Sequence, residues 1–184
     1  MSNAALQKLE KLFHSEGLDC SLTPSTDEAP ERLLVFLGLD GRNRQRVVEI
    51  TAQDQDLLRE VRGEEGGLFS GVAKIQFEVD FPFKTLDDTT YEVRSLLSFL
   101  NRMMELPGLE IDEVENRIYY RYVFLSDQTE DNLKLSLGIL GTILVMLDLY
   151  TGVIEPVAEG RKAFDELLEE VLTATEKITG TMGA

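Results

Sequence analysis

The sequence predicts an α+β fold, an antiparallel sheet flanked by helices, and three observations carry that prediction. Val72 to Phe81 alternates strictly, with Ile75, Phe77, Val79 and Phe81 on one side and Lys74, Gln76, Glu78 and Asp80 on the other. A period of two marks a strand with one buried and one wet face. Val93, Leu96, Leu97, Leu100, Met103 and Met104 then recur at three- and four-residue steps, the stripe of a one-sided helix. Finally, several apolar runs are joined by hairpin signals, which argues for antiparallel rather than parallel pairing.

The elements follow in order. Ala5 to about Glu16 reads as a first helix, with Ala5, Leu6, Leu9, Leu12 and Phe13 on one stripe and Gly17 at the stop. (Ser2-Asn3-Ala4 resembles a cloning remnant and carries no weight.) Leu18 to Glu31 is polar, acidic and proline-containing, and reads as a loop. Leu33 to Leu39 is a nearly continuous apolar strand, Asp40-Gly41 a turn, and Arg46 to Ile50 the returning strand. Gln53 to Gly67 reads as a connection, with one helical turn around Asp56 to Arg59. The alternating strand comes next and is expected to stop at Pro82.

Thr89-Thr-Tyr-Glu92 has the spacing of a capping box, and Pro107-Gly108 closes the helix that it opens. Leu109 to Ile111 and Arg117 to Leu125 form a second hairpin around Glu115-Asn116, with Ile118, Tyr120, Tyr122 and Phe124 sharing a face. Asp127 or Thr129 caps a third helix through Tyr150, apolar nearly all round and so expected to be buried on several sides. Gly152 to Pro156 is expected to break it. Arg161 to Ile178 is a last amphipathic helix. The order is α-β-β-β-α-β-β-α plus a C-terminal helix, which divides as residues 1–152, the α+β domain, and 153–184, a helical extension packed on it.

Composition bounds the function. A chain of 184 residues buries roughly 70% of its unfolded surface, enough to fold without a disulfide or a metal. The single cysteine, Cys20, makes no internal bridge, which fits a reducing, cytoplasmic setting. The longest uncharged run, Leu135 to Leu147, is 13 residues, short for a bilayer span, and no membrane partner is expected. With 34 acidic and 18 basic residues the net charge is −16, which opposes nucleic acid and anionic surfaces.

No motif announces a reaction. His14 and Cys20 are the only members of their types, too few for a zinc site built on such ligands. The glycine cluster Gly63 to Gly71 lacks the lysine of a phosphate loop and carries two carboxylates. Asp54-Gln-Asp56 opens like a calcium loop, but Leu58 and Arg59 stand where a ligand and the turn glycine belong. The acidic pairs Asp87-Asp88 and Glu130-Asp131 fall at helix starts, where the helix dipole favours them. Tyr119, Tyr120, Tyr122 and Phe124 are strand residues, and the net charge argues against base stacking. No cofactor, no metal and no catalytic residue is expected.

Ile75-Gln-Phe77, Phe81-Pro82-Phe83, Leu100-Asn101 and Tyr120-Arg121-Tyr122-Val123 together resemble the YbjN-like family of small bacterial proteins, described as sensory transduction regulators. The element order is similar to that of the dimeric type III secretion chaperones. The resemblance covers about Ala5 to Tyr150. It implies a chaperone-like fold and a non-enzymatic homodimer that binds another protein. The chain departs from the pattern by its Arg161–Ile178 helix and its longer acidic loop before the third strand.

The expectation is therefore a protein-binding module, chaperone-like or regulatory, that holds its partner through an exposed sheet face or strand edge. Leu97, Tyr119, Tyr120, Arg121 and Val123 are the candidate partner or dimer surface. A small-ligand domain or enzyme with a carboxylate-lined cleft is the alternative, and a purely scaffolding dimer a third.

Overall fold

The structure, a computed structural model, describes residues 3–27, 29–55 and 72–170. The chain is α+β. Six strands make one antiparallel sheet in the order β1 (Asp19–Thr23), β2 (Arg32–Leu39), β3 (Gln45–Gln55), β4 (Val72–Lys84), β6 (Arg117–Ser126) and β5 (Leu109–Asp112), with four helices among the described residues. Two compact units interleave along the chain, Met1–Pro82 with Tyr119–Asp148, and Phe83–Ile118 with Leu149–Ala184. Each unit is assembled from segments distant in sequence.

In the first unit, α1 (Ala4–Ser15) starts at Asn3, whose Oδ1 accepts from the N–H groups of Ala5 (2.9 Å) and Leu6 (3.3 Å). The Asn3 amide also donates to the Ala52 carbonyl at 2.9 Å, so a residue given no weight in the sequence caps the helix and pins it to the sheet. α1 lays Ala5, Leu6, Leu9 and Phe13 over the first three strands, all of them buried. Each fully buried large side chain contributes about 2 kcal/mol.

Within the stretch expected to be a loop lies a strand, β1 (Asp19–Thr23), paired with β2 (Arg32–Leu39). Pairing with β2 stabilises a segment too short and too polar to signal itself. β3 (Gln45–Gln55) returns through a turn built on Asp40, and extends past the expected Ile50. β4 (Val72–Lys84) keeps the expected alternation, with Ala73, Ile75, Phe77, Val79 and Phe81 buried. Cys20, Val35, Val48 and Val79 are successive partners across β1 to β4 and form one buried row. β4 does not stop at Pro82. That residue lies beyond the last β3–β4 pair, Val48 with Val79, so its missing N–H costs that ladder nothing.

β6 (Arg117–Ser126) buries Ile118 and Tyr120. It leads to α3 (Glu130–Ala158), whose cap is Thr129: its carbonyl takes the Leu133 N–H at 3.0 Å. Asp127 holds the Thr129 hydroxyl at 2.7 Å and the Asn132 amide at 2.6 Å, and these bonds lower its pKa.

In the second unit, α2 (Thr90–Met103) buries Val93, Leu96, Leu97 and Leu100 of the expected stripe and packs on β5 (Leu109–Asp112), whereas Met103 is exposed and Met104 lies past the end of the helix. Asn101 fastens that turn, accepting from the Gly108 and Leu109 N–H groups and donating to the Leu109 carbonyl. The expected capping box does not form. Thr89 makes no side-chain cap bond; its hydroxyl accepts from Leu86 N–H (3.2 Å) and donates to the Ala158 carbonyl (2.9 Å). Glu92 instead accepts from the Phe164 N–H at 2.9 Å, at the start of a further helix, α4, described over 164–170.

α3 also runs through the expected break at Gly152 to Pro156. Pro156 sits in the last turn, where its absent N–H forfeits a single bond. The helix closes with Gly160 (φ +66°) donating to Val157 and Arg161 donating to Pro156, a Schellman motif. The glycine cluster, the helical turn expected at 56–59, and the chain beyond 170 lie outside the described residues.

Candidate functional site

The five residues expected to form a docking surface separate into two groups. Leu97 is 3% exposed on α2 and Tyr120 is 0% exposed on β6, so both are core and present nothing to a partner. Burial, with Tyr122 beside it, pushes the Tyr120 phenol up to about 12. Tyr119 and Arg121 are half-buried, and Val123 and Leu125 are exposed; all four occupy the other face of β6. The alternation correctly separated Tyr119, Arg121 and Val123 from the core file.

The largest departure is on α3, expected to be buried on several sides. Its buried side carries Leu133, Ser136, Ile139, Leu140, Ile143, Met146 and Leu147. The opposite side is open, with Leu135, Val145 and Leu149 each more than half exposed. At about 100° per residue these positions fall on one arc. Gly138 and Val145 run along its middle, Leu135, Thr142 and Leu149 along one flank, and Lys134, Gly141 and Asp148 along the other. Each file steps by seven residues. A Cβ at Gly138 or Gly141 would meet nothing within 4 Å, so the helix backbone is open to close approach there.

The part of α3 up to Asp148 is anchored within the first unit. Lys8 of α1 donates to the Gln128 carbonyl at 3.4 Å, and Arg46 of β3 pairs with Asp148 at 2.7 Å. Arg46 is largely covered and Asp148 is exposed, so the carboxylate keeps one side toward solvent. Part of this is legible in the sequence, where Gly138, Gly141 and Thr142 are small residues at helical spacing that allow close approach of a neighbouring backbone; which side of the helix stays open is not.

Two pockets lie in the same unit. One, of about 330 Å³, is lined by Lys8, Lys11, Leu12, Gln128, Glu130 and Leu133. The other, of about 270 Å³, lies against Asp19, Cys20, Leu34, Phe36 and Val47. Each has one carboxylate in its wall, so neither provides the acid and base pair that a carboxylate cleft would need. His14 spends its Nε2–H on the Cys20 carbonyl at 3.0 Å. The Cys20 thiol is buried, and burial, with Glu10 and Asp19 nearby, raises its pKa away from the reactive thiolate.

The chain matches no family model, no curated protein and no solved structure. The physical features of α3 therefore carry the functional argument. By length and composition this helix could cross a membrane, with a mean hydropathy of 2.0 over its most apolar 18 residues. The 13-residue uncharged run understates it, since Lys134 and Asp148 bound that run within a 29-residue helix. Lipid would have to surround the helix, however, and one side of it is already buried in protein.

Proposed function

We propose that the chain is a non-catalytic protein-binding module, chaperone-like or regulatory, that works as a homodimer. The observation that carries this reading is the open apolar face of α3. Leu135, Val145 and Leu149 are each more than half exposed on one arc of the same helix, a grouping that singly scattered surface residues do not make. A monomer gains nothing from that exposure. A protein partner removes it from water at about 25 cal/mol per Å².

Two further features support the reading. The outward file of β6, with Tyr119, Arg121, Val123 and Leu125, offers an apolar and aromatic strip for a second protein. The resemblance of the β4, α2 and β6 motifs to YbjN-like proteins points to the same class. The excess of acid keeps such a surface soluble before its partner arrives.

Sedimentation equilibrium of the purified chain tests it. A species of twice 20.7 kDa at micromolar concentration is expected. A monomer at every concentration reached would contradict the homodimer.

A further inference from the structure

We infer that the partner of the α3 face is the α3 of a second copy, packed antiparallel about a two-fold axis near Gly141. This rests on the homodimer reading and names its interface. The argument comes from how the open face is laid out.

Lys134 and Asp148 stand on the same flank, seven residues to either side of Gly141. An antiparallel pairing centred there sets Lys134 of each copy against Asp148 of the other, twice over. The register that joins the charges also brings Val145 within one residue of Gly138, about 1.5 Å along the axis, so the bulkier residue of the middle file lies against the open backbone of the smaller. Gly141 meets Gly141, where the two backbones can approach closely. Leu135 then lies beside the far end of the apolar face. The charges and the Gly141 contact select one register, and the bulk of Val145 fits it to within one residue of rise, about 1.5 Å.

A parallel pairing fails on the same residues. It stacks Lys134 on Lys134 and Asp148 on Asp148, and brings together the two acidic helix starts at Glu130 and Asp131. Like charges at such positions destabilise. Two chains of net charge −16 repel each other overall, which makes local neutralisation by Lys134 the more valuable. Asp148 can accept from a second cation while bonded to Arg46, because a carboxylate carries two oxygens, and Lys134, which pairs with Glu130 at 3.0 Å and lies 3.9 Å from Asp131, has three N–H donors to share.

Disulfide trapping tests both the face and the direction. Gly141→Cys should give a covalent dimer on mild oxidation, since residue 141 meets its own copy at the axis. Gly138→Cys and Val145→Cys should each stay uncrosslinked alone, their self-distances being about 10 Å along the helix, and link when mixed. The wild-type chain, whose Cys20 is buried, is the control. Lys134→Glu should weaken the dimer roughly fivefold.

Self-linking of Gly138→Cys and Val145→Cys would indicate parallel pairing and overturn the inference. A dimeric native mass with no trapping at any of the three positions would place the interface elsewhere, which overturns the inference but spares the homodimer. A monomer that instead floats with lipid vesicles would overturn both.

Discussion

Thr89 and Ala158 are joined across 69 residues of chain: the threonine hydroxyl donates to the alanine carbonyl at 2.9 Å, where the Leu86 N–H also arrives at 3.2 Å. The bond ties the start of α2 to the end of α3. Thr89 is only 8% exposed, so water replaces the hydroxyl poorly. Thr89→Ala should cost about 1–2 kcal/mol in urea unfolding, and Thr89→Ser should restore most of it. Equal stability of the alanine variant and the wild type would contradict this role.

Gly160 closes the same region. Its φ of +66° disfavours any side chain, and an added Cβ would stand 3.3 Å from Thr89 Cγ2. Gly160→Ala is expected to lose about 1–2 kcal/mol. Thermal unfolding reads the effect directly, and an unchanged midpoint would contradict it.

Ser136 makes the opposite prediction. It is fully buried on α3, and its hydroxyl has no hydrogen-bond partner. Ser136→Ala removes an unsatisfied group and improves helix propensity, so stability should rise by about 1 kcal/mol. A loss of stability would mean that the hydroxyl is satisfied in solution.

The turn between β2 and β3 sets a pH dependence. Asp40 accepts from the Arg44 N–H (2.9 Å), the Arg44 Nε (2.7 Å) and the Arg42 N–H (2.8 Å), and its pKa is lowered to about 2. Because the folded value lies below the unfolded one of about 3.9, this contribution is complete above that pH. It is lost as pH falls toward 2. Asp40→Asn should be less stable than wild type at neutral pH, and the difference should close across that acid window. A difference that stays constant from pH 6 to pH 2 would contradict it.

Gly138 separates chain stability from assembly. Alanine there meets no neighbour within the chain, so Gly138→Ala should raise the stability of the monomer by about 1 kcal/mol. In an antiparallel pair it should lift Val145 of the partner and weaken association. Unfolding and sedimentation of the one variant should therefore move in opposite directions, and movement in the same direction would contradict the pairing.

Much of the fold was legible because its periodicities are local. The alternation of β4, the stripe of α2 and the β5–β6 hairpin each declare themselves within a dozen residues. What stayed hidden depends on distant partners. β1 has only two apolar residues and is a strand because β2 lies beside it. Thr89 has the spacing of a cap, yet Ala158 claims its hydroxyl and Glu92 turns to Phe164. Gly152 and Pro156 look like a break, but a proline in the last turn forfeits little. For the docking surface, alternation along β6 separated Val123 from Tyr120, whereas the all-round apolarity of α3 masked its open face.

The most direct test of the central claim compares Val145→Glu, on α3, with Val123→Glu, on the outward face of β6, by sedimentation equilibrium. Both positions are exposed, at 57% and 39%, so both variants should fold with unchanged circular dichroism. The account predicts a monomer for Val145→Glu and a dimer for Val123→Glu. A dimer that survives Val145→Glu and dissociates with Val123→Glu would contradict it and move the interface to the sheet.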